Sequence, residues 1–214
     1  LNPVVTLTTG GTYWLELRFD DGQLQTTDGL RIVVNEIDPS VYYVSLSGDD
    51  GNPGTELLPW RTLQHAADTV AAGDTVITLG GTYTGFHLTT GGMQAGPITF
   101  TTSGTVTTDV DNPSTGLDLI HLDGADYVVI EGFHLTGGSR AGVRVTQSDH
   151  VTLRGIVTEG NTTNGINALF SDDLLIEDSE VLDASTSHGV RLAGGDRPVV
   201  RGNTITGSHA SGLF

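Results

Sequence analysis

Apolar side chains occur at alternate positions in short runs throughout the second half of the chain, and the runs themselves repeat. Three runs hold the inward pairs Val128 and Ile130, Val151 and Leu153, and Leu174 and Ile176. An aspartate opens each coil at intervals of 23, 23 and 24: Asp126, Asp149, Asp172 and Asp196. A glycine opens a second strand at intervals of 23, 24 and 23: Gly142, Gly165, Gly189 and Gly212. Two markers that advance together predict a parallel β-helix, whose coils bury their apolar side against one another.

Upstream of this repeat, one stretch has the apolar spacing of a helix instead: Leu63, Ala66, Ala67 and Val70. It predicts a single helix at about 62–72, with Thr62 as the N-cap and Gly73 in the C′ position. Two earlier strands and one loop inserted between coils are predicted at 76–79, 98–100 and 109–115. The helix would cover the open apolar end of the first coil, because a solenoid needs capped ends.

Residues 1–38 have a different pattern, with two alternating strands around an Asp-Gly turn and a short third strand near Val5 and Leu7. This segment resembles the C-terminal part of a PKD- or cadherin-like immunoglobulin-type domain. The residues that carry the resemblance are Gly11-Thr12-Tyr13, Leu15, Leu17, Asp21-Gly22, Thr27-Asp28, Leu30, Ile32 and Val34. The resemblance implies a partial immunoglobulin-like β-sandwich, since a complete one needs about seven strands.

Residues 41–214 resemble right-handed parallel β-helix repeat proteins, the pectate-lyase-like superfamily. The residues that carry this resemblance are Tyr43-Val44-Ser45, Gly48, Asn52-Pro53-Gly54-Thr55, Pro59, Thr62-Leu63, Ala66-Ala67, Gly73-Asp74-Thr75-Val76 and Gly81-Thr82-Tyr83. The resemblance supplies the right hand of the helix, which periodicity alone does not give. The predicted fold class is therefore all-β: a right-handed parallel β-helix with a short cap helix and coils at about 75–214, preceded by the partial sandwich.

Composition narrows the function classes. The chain has 26 acidic residues against nine basic ones, all arginine, for a net charge of −17. Such a charge repels nucleic acid, anionic membranes and polyuronates, and favours divalent cations. No cysteine is present, which excludes disulfides, thiolate zinc sites and a cysteine nucleophile. No run approaches the roughly 20 apolar residues of a membrane helix, so we expect no membrane insertion.

The repeat accounts for most residues that might otherwise suggest chemistry. The outward position five residues after each aspartate alternates in charge: Glu131, Arg154, Glu177 and Arg201. We interpret this row as a charge ladder between coils, and Arg144 and Arg191 as part of a solvated face. The seven histidines show no close ligand spacing and are interpreted mostly as corner or surface residues.

The β-helix resemblance implies two kinds of catalysis. Lyases of this group use an Arg or Lys base with calcium, and hydrolases use paired aspartates. Asp172 and Asp173 form such a pair in sequence, but Asp172 occupies the repeated corner position and strand neighbours face opposite sides. We therefore predict no catalytic residue within the chain and no cofactor other than calcium.

Two loops offer the oxygen ligands that calcium prefers. One holds Asp49, Asp50 and Asn52, and the other holds Asp109 and Asp111. Both patterns are also typical of Asx turns. Asn161 begins an N-glycosylation sequon on a predicted turn.

The sequence also supports a hypothesis about assembly. Both the sandwich and the solenoid are expected to be incomplete at the chain ends, which predicts a homo-oligomer or fibre through end-to-end or donor-strand contacts. We accordingly expect a secreted or cell-surface bacterial protein with a structural or adhesive function. The alternatives are a polysaccharide-active enzyme, either a pectate-lyase-like lyase or a glycoside hydrolase, and a non-catalytic glycan-binding module.

Overall fold

The computed structural model of the protein describes residues 11–20, 22–34, 40–182 and 184–208. The chain separates into two compact units, Leu1–Asp38 and Pro39–Phe214. In the described part of the chain, no helix is both long enough and apolar enough to cross a membrane.

The first unit contains one antiparallel hairpin. Strand β1 (Gly11–Asp20) pairs with β2 (Gln25–Val34) along its whole length, with Leu15 opposite Leu30. Both predicted strands are therefore present. The predicted third strand, near Val5 and Leu7, lies outside the described residues, and the immunoglobulin-type identification stays a prediction.

The second unit is a parallel β-helix with three strands in each complete coil. We call its faces A, B and C. Face A contains β3 (Val41–Val44), β8 (Val128–Glu131), β11 (Thr152–Arg154), β14 (Leu175–Glu177) and β17 (Val199–Arg201). Face B contains β9 (His134–Thr136), β12 (Val157–Glu159), β15 (Glu180–Leu182) and β18 (Thr204–Thr206). Face C contains β5 (Phe86–Leu88), β7 (Asp118–Asp123), β10 (Ala141–Thr146), β13 (Asn164–Leu169) and β16 (Val190–Ala193). Two long strands, β4 (Thr75–Thr84) and β6 (Ile98–Val110), belong to both A and B, because β6 pairs with β8 and then with β9.

The predicted register is confirmed. Leu153 of face A pairs with Ile130 and Ile176, so residues one sequence repeat apart are neighbours in the sheet. All six predicted inward side chains of face A are buried, as are Val143, Val145 and Ile166 of face C. Together with Phe86, Phe100 and Phe133 they form one continuous apolar core. This continuity follows from the repeat, because each coil supplies the same inward positions to the next.

The cap helix is shorter than predicted. Helix α1 spans Leu63–Thr69, and the predicted N-cap Thr62 accepts a hydrogen bond from the His65 backbone N–H at 3.1 Å. The predicted C′ position of Gly73 is wrong, because the C-cap is Val70, whose backbone is already extended, and Gly73 lies three residues beyond it. Asp74 then closes the turn by accepting from the Ala71 N–H at 2.8 Å.

The inserted loop also differs from its predicted bounds. Strand β6 continues to Val110, so Asp109 is a strand residue and the loop begins at Asp111. Buried Asn112 orders this loop, since its side chain accepts from the Thr115 N–H at 2.8 Å and donates to the Asp118 carbonyl at 2.7 Å. The predicted second-strand marker Gly212 lies outside the described residues.

Candidate functional site

The outward charged side chains of face A form ion pairs with one another between neighbouring coils. The predicted ladder is confirmed for three of its four residues: Glu177 accepts from Arg154 on one side and Arg201 on the other, each at 2.6 Å. Hydrogen bonds from Arg201 and Arg154 hold the pKa of Glu177 below its usual value. The charges of this row are therefore directed at neighbouring coils and leave little to recognise a ligand.

The corner aspartates are also structural. Asp126, Asp149 and Asp172 each accept a hydrogen bond at 2.7–2.8 Å from the backbone N–H of the aspartate one coil later. Asp173, the sequence neighbour of Asp172, instead binds Arg197 at 2.7 Å. Arg197 also lies 3.6 Å from Asp172, so one arginine contacts both carboxylates and their charges are used within the coil stack.

Face C carries a different kind of outward row. The strand register aligns one residue from each of five successive strands: His87, His121, Arg144, Asn167 and Arg191. These residues alternate with inward side chains and hence point away from the core. We call them the face C row. In contrast to face A, the row contains imidazole, guanidinium and amide groups and no carboxylate.

Two histidines begin this row and lie against each other. The rings of His87 and His121 stack with centroids 4.8 Å apart. Asp123, two residues after His121 on the same strand, brings its Oδ2 within 3.7 Å of His87 Nε2. One ligand atom from each of the three residues lies within 4.8 Å of the others, and in the described part of the chain they are the one such group of His, Cys, Asp and Glu.

The imidazole nitrogens of this cluster are only partly hydrogen-bonded. His121 is 7% exposed, and its Nε2 lies 3.3 Å from the Thr146 hydroxyl. His121 Nδ1 and His87 Nε2 are buried without a hydrogen-bond partner. Burial lowers the pKa of His121 to about 4, against the opposing effect of Asp118, so the ring is neutral at pH 7. Buried polar atoms without partners are uncommon in proteins, and a bound water or ion is one explanation for them.

Arg144 is the next residue of the row, and in the described structure it forms no ion pair. Burial and the nearby charge of Arg140 lower the pKa of Arg144. Arg140 itself binds buried Asp118 with two nitrogens, Nε at 2.9 Å to Oδ1 and Nη2 to Oδ2. Arg191 donates to Asn167 at 3.4 Å. Arg144 is therefore a half-buried cation with free donors in the middle of the row.

A pocket lies beside the start of this row. Its volume is about 440 Å³, and Arg61, Gln64, Tyr83 and Gly85 are among its lining residues. Gln64 connects the pocket to the row, because its side chain accepts from the His87 N–H at 2.8 Å and donates to the His87 carbonyl at 3.0 Å. The volume falls in the range of small-molecule sites.

The first predicted calcium loop makes its hydrogen bonds within the fold. Asp49 accepts from the Gly51 N–H at 2.8 Å, and Asn52 donates to the Pro59 carbonyl at 2.9 Å. Asp50 accepts from the N–H of Arg61 and from the N–H and hydroxyl of Thr62 at 2.8–2.9 Å. Burial opposes these hydrogen bonds, but the net pKa of Asp50 is lowered. The three side chains therefore serve a turn and the start of the cap helix.

The aspartates of the second predicted calcium loop and the asparagine of the sequon differ in how far they are exposed. Asp109 is exposed on strand β6, and Asp111 accepts from the Ser139 N–H at 3.1 Å. Asn161 is fully buried; its Oδ1 accepts from the Gly138 N–H at 2.9 Å and its Nδ2 faces the Leu135 carbonyl. The folded chain does not present this amide to solvent, so this structure has no space for a glycan on Asn161. Calcium binding and glycosylation stay predictions.

The interpretation of the histidines as mostly corner or surface residues is wrong for His87 and His121. The inserted loop lengthens the coil between them, so a search at the coil period misses the pair. The interpretation of Arg144 as solvated is also too simple. The available signal was the run Asp118–Asp123, in which His121 alternates with the apolar residues Ile120 and Leu122.

The chain is a right-handed parallel β-helix, which confirms the predicted architecture and hand, and its face C carries a polar outward row without carboxylates. The chain belongs to the family described as Pel9A-like, right handed beta helix region, whose model matches residues 42–197.

Relatives of known structure share this fold. The pectate lyase Pel9A matches with a TM-score of 0.59 and 18% identity over 73% of this chain and 47% of that chain. An alginate lyase from Paenibacillus sp. str. FPU-7 matches with a TM-score of 0.62 and 22% identity over 71% of this chain and 57% of that one. An uncharacterized protein, YwoF of Bacillus subtilis, is 47% identical over 62 residues, which cover 27% of this chain and 13% of YwoF.

These comparisons correct the expected function. The prediction of a structural or adhesive fibre subunit is wrong, because the chain matches the Pel9A-like family and its structural relatives include polysaccharide lyases and glycoside hydrolases. They support the alternative of a polysaccharide-active protein. The expectation of a homo-oligomer is a separate one and stays a prediction.

Proposed function

We propose that this protein is a secreted or cell-surface polysaccharide-active enzyme that binds an acidic polysaccharide along the face C row. The observation that carries the proposal is the free guanidinium of Arg144 between His121 and Asn167. A guanidinium binds a carboxylate with two parallel hydrogen bonds. The names of the structural relatives, a pectate lyase and an alginate lyase, agree with an acidic substrate.

The geometry of the row suits an extended sugar chain. Neighbouring coils lie roughly 4.8 Å apart, so two coils span about the length of one or two sugar residues. Arg144 and Arg191 are two coils apart, with Asn167 between them. A polyuronate lying along the row would place one carboxylate at each arginine, and the asparagine amide would bind a hydroxyl.

Such binding also supplies part of the chemistry of a lyase. Removal of the proton next to a uronate carboxylate is easier when a fixed positive charge neutralises that carboxylate, because the developing negative charge is delocalised onto it. Arg144 is the group to which we assign this role. At short range Arg140 neutralises Asp118, and Asp123 is the remaining carboxylate whose charge acts on Arg144.

The test compares Arg144→Gln with Arg154→Gln, an arginine of face A that is bound to Glu177. Affinity is measured by calorimetry for polygalacturonate, alginate and a neutral β-glucan, and cleavage by the ultraviolet absorbance of unsaturated products. We expect Arg144→Gln to weaken binding of an acidic polysaccharide about tenfold, equal to roughly 1.4 kcal/mol, and Arg154→Gln to leave it unchanged.

Three outcomes separate the alternatives. Equal affinity in wild type and Arg144→Gln, or no binding of acidic chains, contradicts the proposal. New reducing ends without unsaturation would identify a hydrolase rather than a lyase. Binding without any product would identify a glycan-binding module, the non-catalytic alternative.

A further inference from the structure

The cluster at the start of the face C row has the composition of a metal site. It presents two imidazole nitrogens and one carboxylate oxygen from His87, His121 and Asp123. Imidazole and carboxylate together favour a late first-row divalent ion, and zinc in particular, over calcium or magnesium, which prefer oxygen ligands alone. Three protein ligands leave one coordination position for water or a ligand.

The distances are close to those of a bound ion. Metal–ligand bonds of about 2.0–2.2 Å in a tetrahedral site put ligand atoms roughly 3.3–3.5 Å apart. His87 Nε2 and Asp123 Oδ2 are 3.7 Å apart, and all three ligand atoms lie within 4.8 Å of one another. The imidazole lone pairs lie in the planes of the stacked rings, so binding requires the two rings to turn about their side-chain bonds until both point at the ion.

Hydrogen bonding leaves suitable nitrogens free. His121 is more than nine-tenths buried, and its Nδ1 has no partner while its Nε2 lies 3.3 Å from the Thr146 hydroxyl. In the tautomer that carries its proton on Nε2, His121 donates to Thr146 and its Nδ1 lone pair is available to a metal. Metal-bound histidines are commonly oriented by such a hydrogen bond from the second nitrogen.

The scaffold that carries the cluster is rigid. Strands β5 and β7 are paired in register, with His87 directly opposite His121. Gln64 of the cap helix holds the backbone of His87 by two hydrogen bonds of 2.8 and 3.0 Å. Ligands on paired strands need little ordering upon binding, which favours affinity.

From these observations we infer that His87, His121 and Asp123 bind one zinc ion, with Thr146 as a positioning residue. The inference concerns metal binding alone and does not depend on the proposed activity, because it is tested without any polysaccharide.

The experiment uses the full chain, purified without a polyhistidine tag and freed of metal by a chelator. Zinc binding is measured by titration calorimetry, and cobalt is substituted as a spectroscopic probe. We expect one zinc per chain and visible absorption bands of tetrahedral cobalt. His87→Gln and Asp123→Asn should each weaken zinc binding at least about tenfold, and Thr146→Val about 10- to 100-fold.

The matched control is His134→Gln. His134 lies on face B beside Glu159 at 2.9 Å, a half-buried His–carboxylate pair without a third ligand in the described structure. This variant should bind zinc like the wild type. Circular dichroism establishes that each variant is folded, and a variant that fails to fold is replaced by His87→Asn, for which the same loss is expected.

Four results would overturn the inference: no saturable zinc binding by the wild type, equal affinity in wild type and Asp123→Asn, a loss in His134→Gln as large as that in His87→Gln, or binding of calcium in place of zinc. A wild-type protein that binds zinc but no acidic polysaccharide would instead contradict only the proposed function.

Discussion

At the scale of single residues, the repeated glycines mark a steric constraint. A Cβ atom on Gly165 would lie 2.4 Å from Val181 Cγ1 and 2.5 Å from Thr158 Oγ1. At Gly142 it would lie 2.8 Å from the Gly165 carbonyl oxygen. Glycine is needed at these positions because strands of faces B and C approach each other closely where the two faces meet. Neither glycine has a positive φ angle, so backbone conformation is not the reason.

We expect Gly165→Ala to destabilise the β-helix by about 1–3 kcal/mol, since the added methyl group overlaps side chains of the packed core. The measurement is the free energy of unfolding from urea denaturation. Gly80→Ala is the matched control, because its Cβ would come no closer than 3.4 Å to any neighbour. It should change stability by less than about 0.5 kcal/mol, and equal effects of the two variants would contradict this account.

At the scale of elements, side chains connect the corners of successive coils. The Asp149 N–H donates to Asp126 at 2.7 Å, and the Asp149 carboxylate accepts from the Asp172 N–H at 2.8 Å. Ser148 and Ser171 form a second column of the same kind. Each column satisfies backbone donors that the strand ladders leave free at the turns, which explains why the same residue types recur there.

Asp149 allows the hydrogen bond to be separated from the charge. Asp149→Ala removes the acceptor for the Asp172 N–H and should lower stability by about 1 kcal/mol. Asp149→Asn keeps an acceptor oxygen and relieves repulsion between stacked carboxylates, so its melting temperature should equal or exceed that of the wild type. An asparagine variant as unstable as the alanine variant would show that the charge itself stabilises the corner.

At the scale of the whole molecule, net charge and local charge act in opposite directions. The chain carries −17, whereas the face C row contains two arginines and no carboxylate. Long-range repulsion is screened by salt, because the Debye length falls from about 30 Å at 0.01 M to about 8 Å at 0.15 M. Contacts inside the row are partly buried and are screened less.

Acidic polysaccharide should therefore associate faster as salt increases over this range, by at least about twofold, because the net charge slows its approach. Stopped-flow measurements of the association rate, with a neutral β-glucan for comparison, check this prediction. An association rate that falls as salt is added would instead indicate that the field of the face C row dominates at long range.

Much of the fold was predictable from particular residues. Ile130, Leu153 and Ile176 recur with the coil period, and this shared period determines which side chains enter the core. The helix start at Thr62 was also predictable, because an N-cap is a local hydrogen bond. The helix end was not, since the turn after Val70 is closed by Asp74 through a contact that helical spacing does not encode.

The sequence by itself therefore determined the coils, their inward positions and the face A ladder, because these depend on a repeat that is visible along the chain. Only the tertiary structure decided the candidate site. An inserted loop takes His87 and His121 out of the coil period, and stacking then brings them together with Asp123. The tertiary structure also decided that Arg154 pairs with Glu177, whereas Arg144 forms no ion pair. This difference depends on which residues the neighbouring coils place beside each arginine.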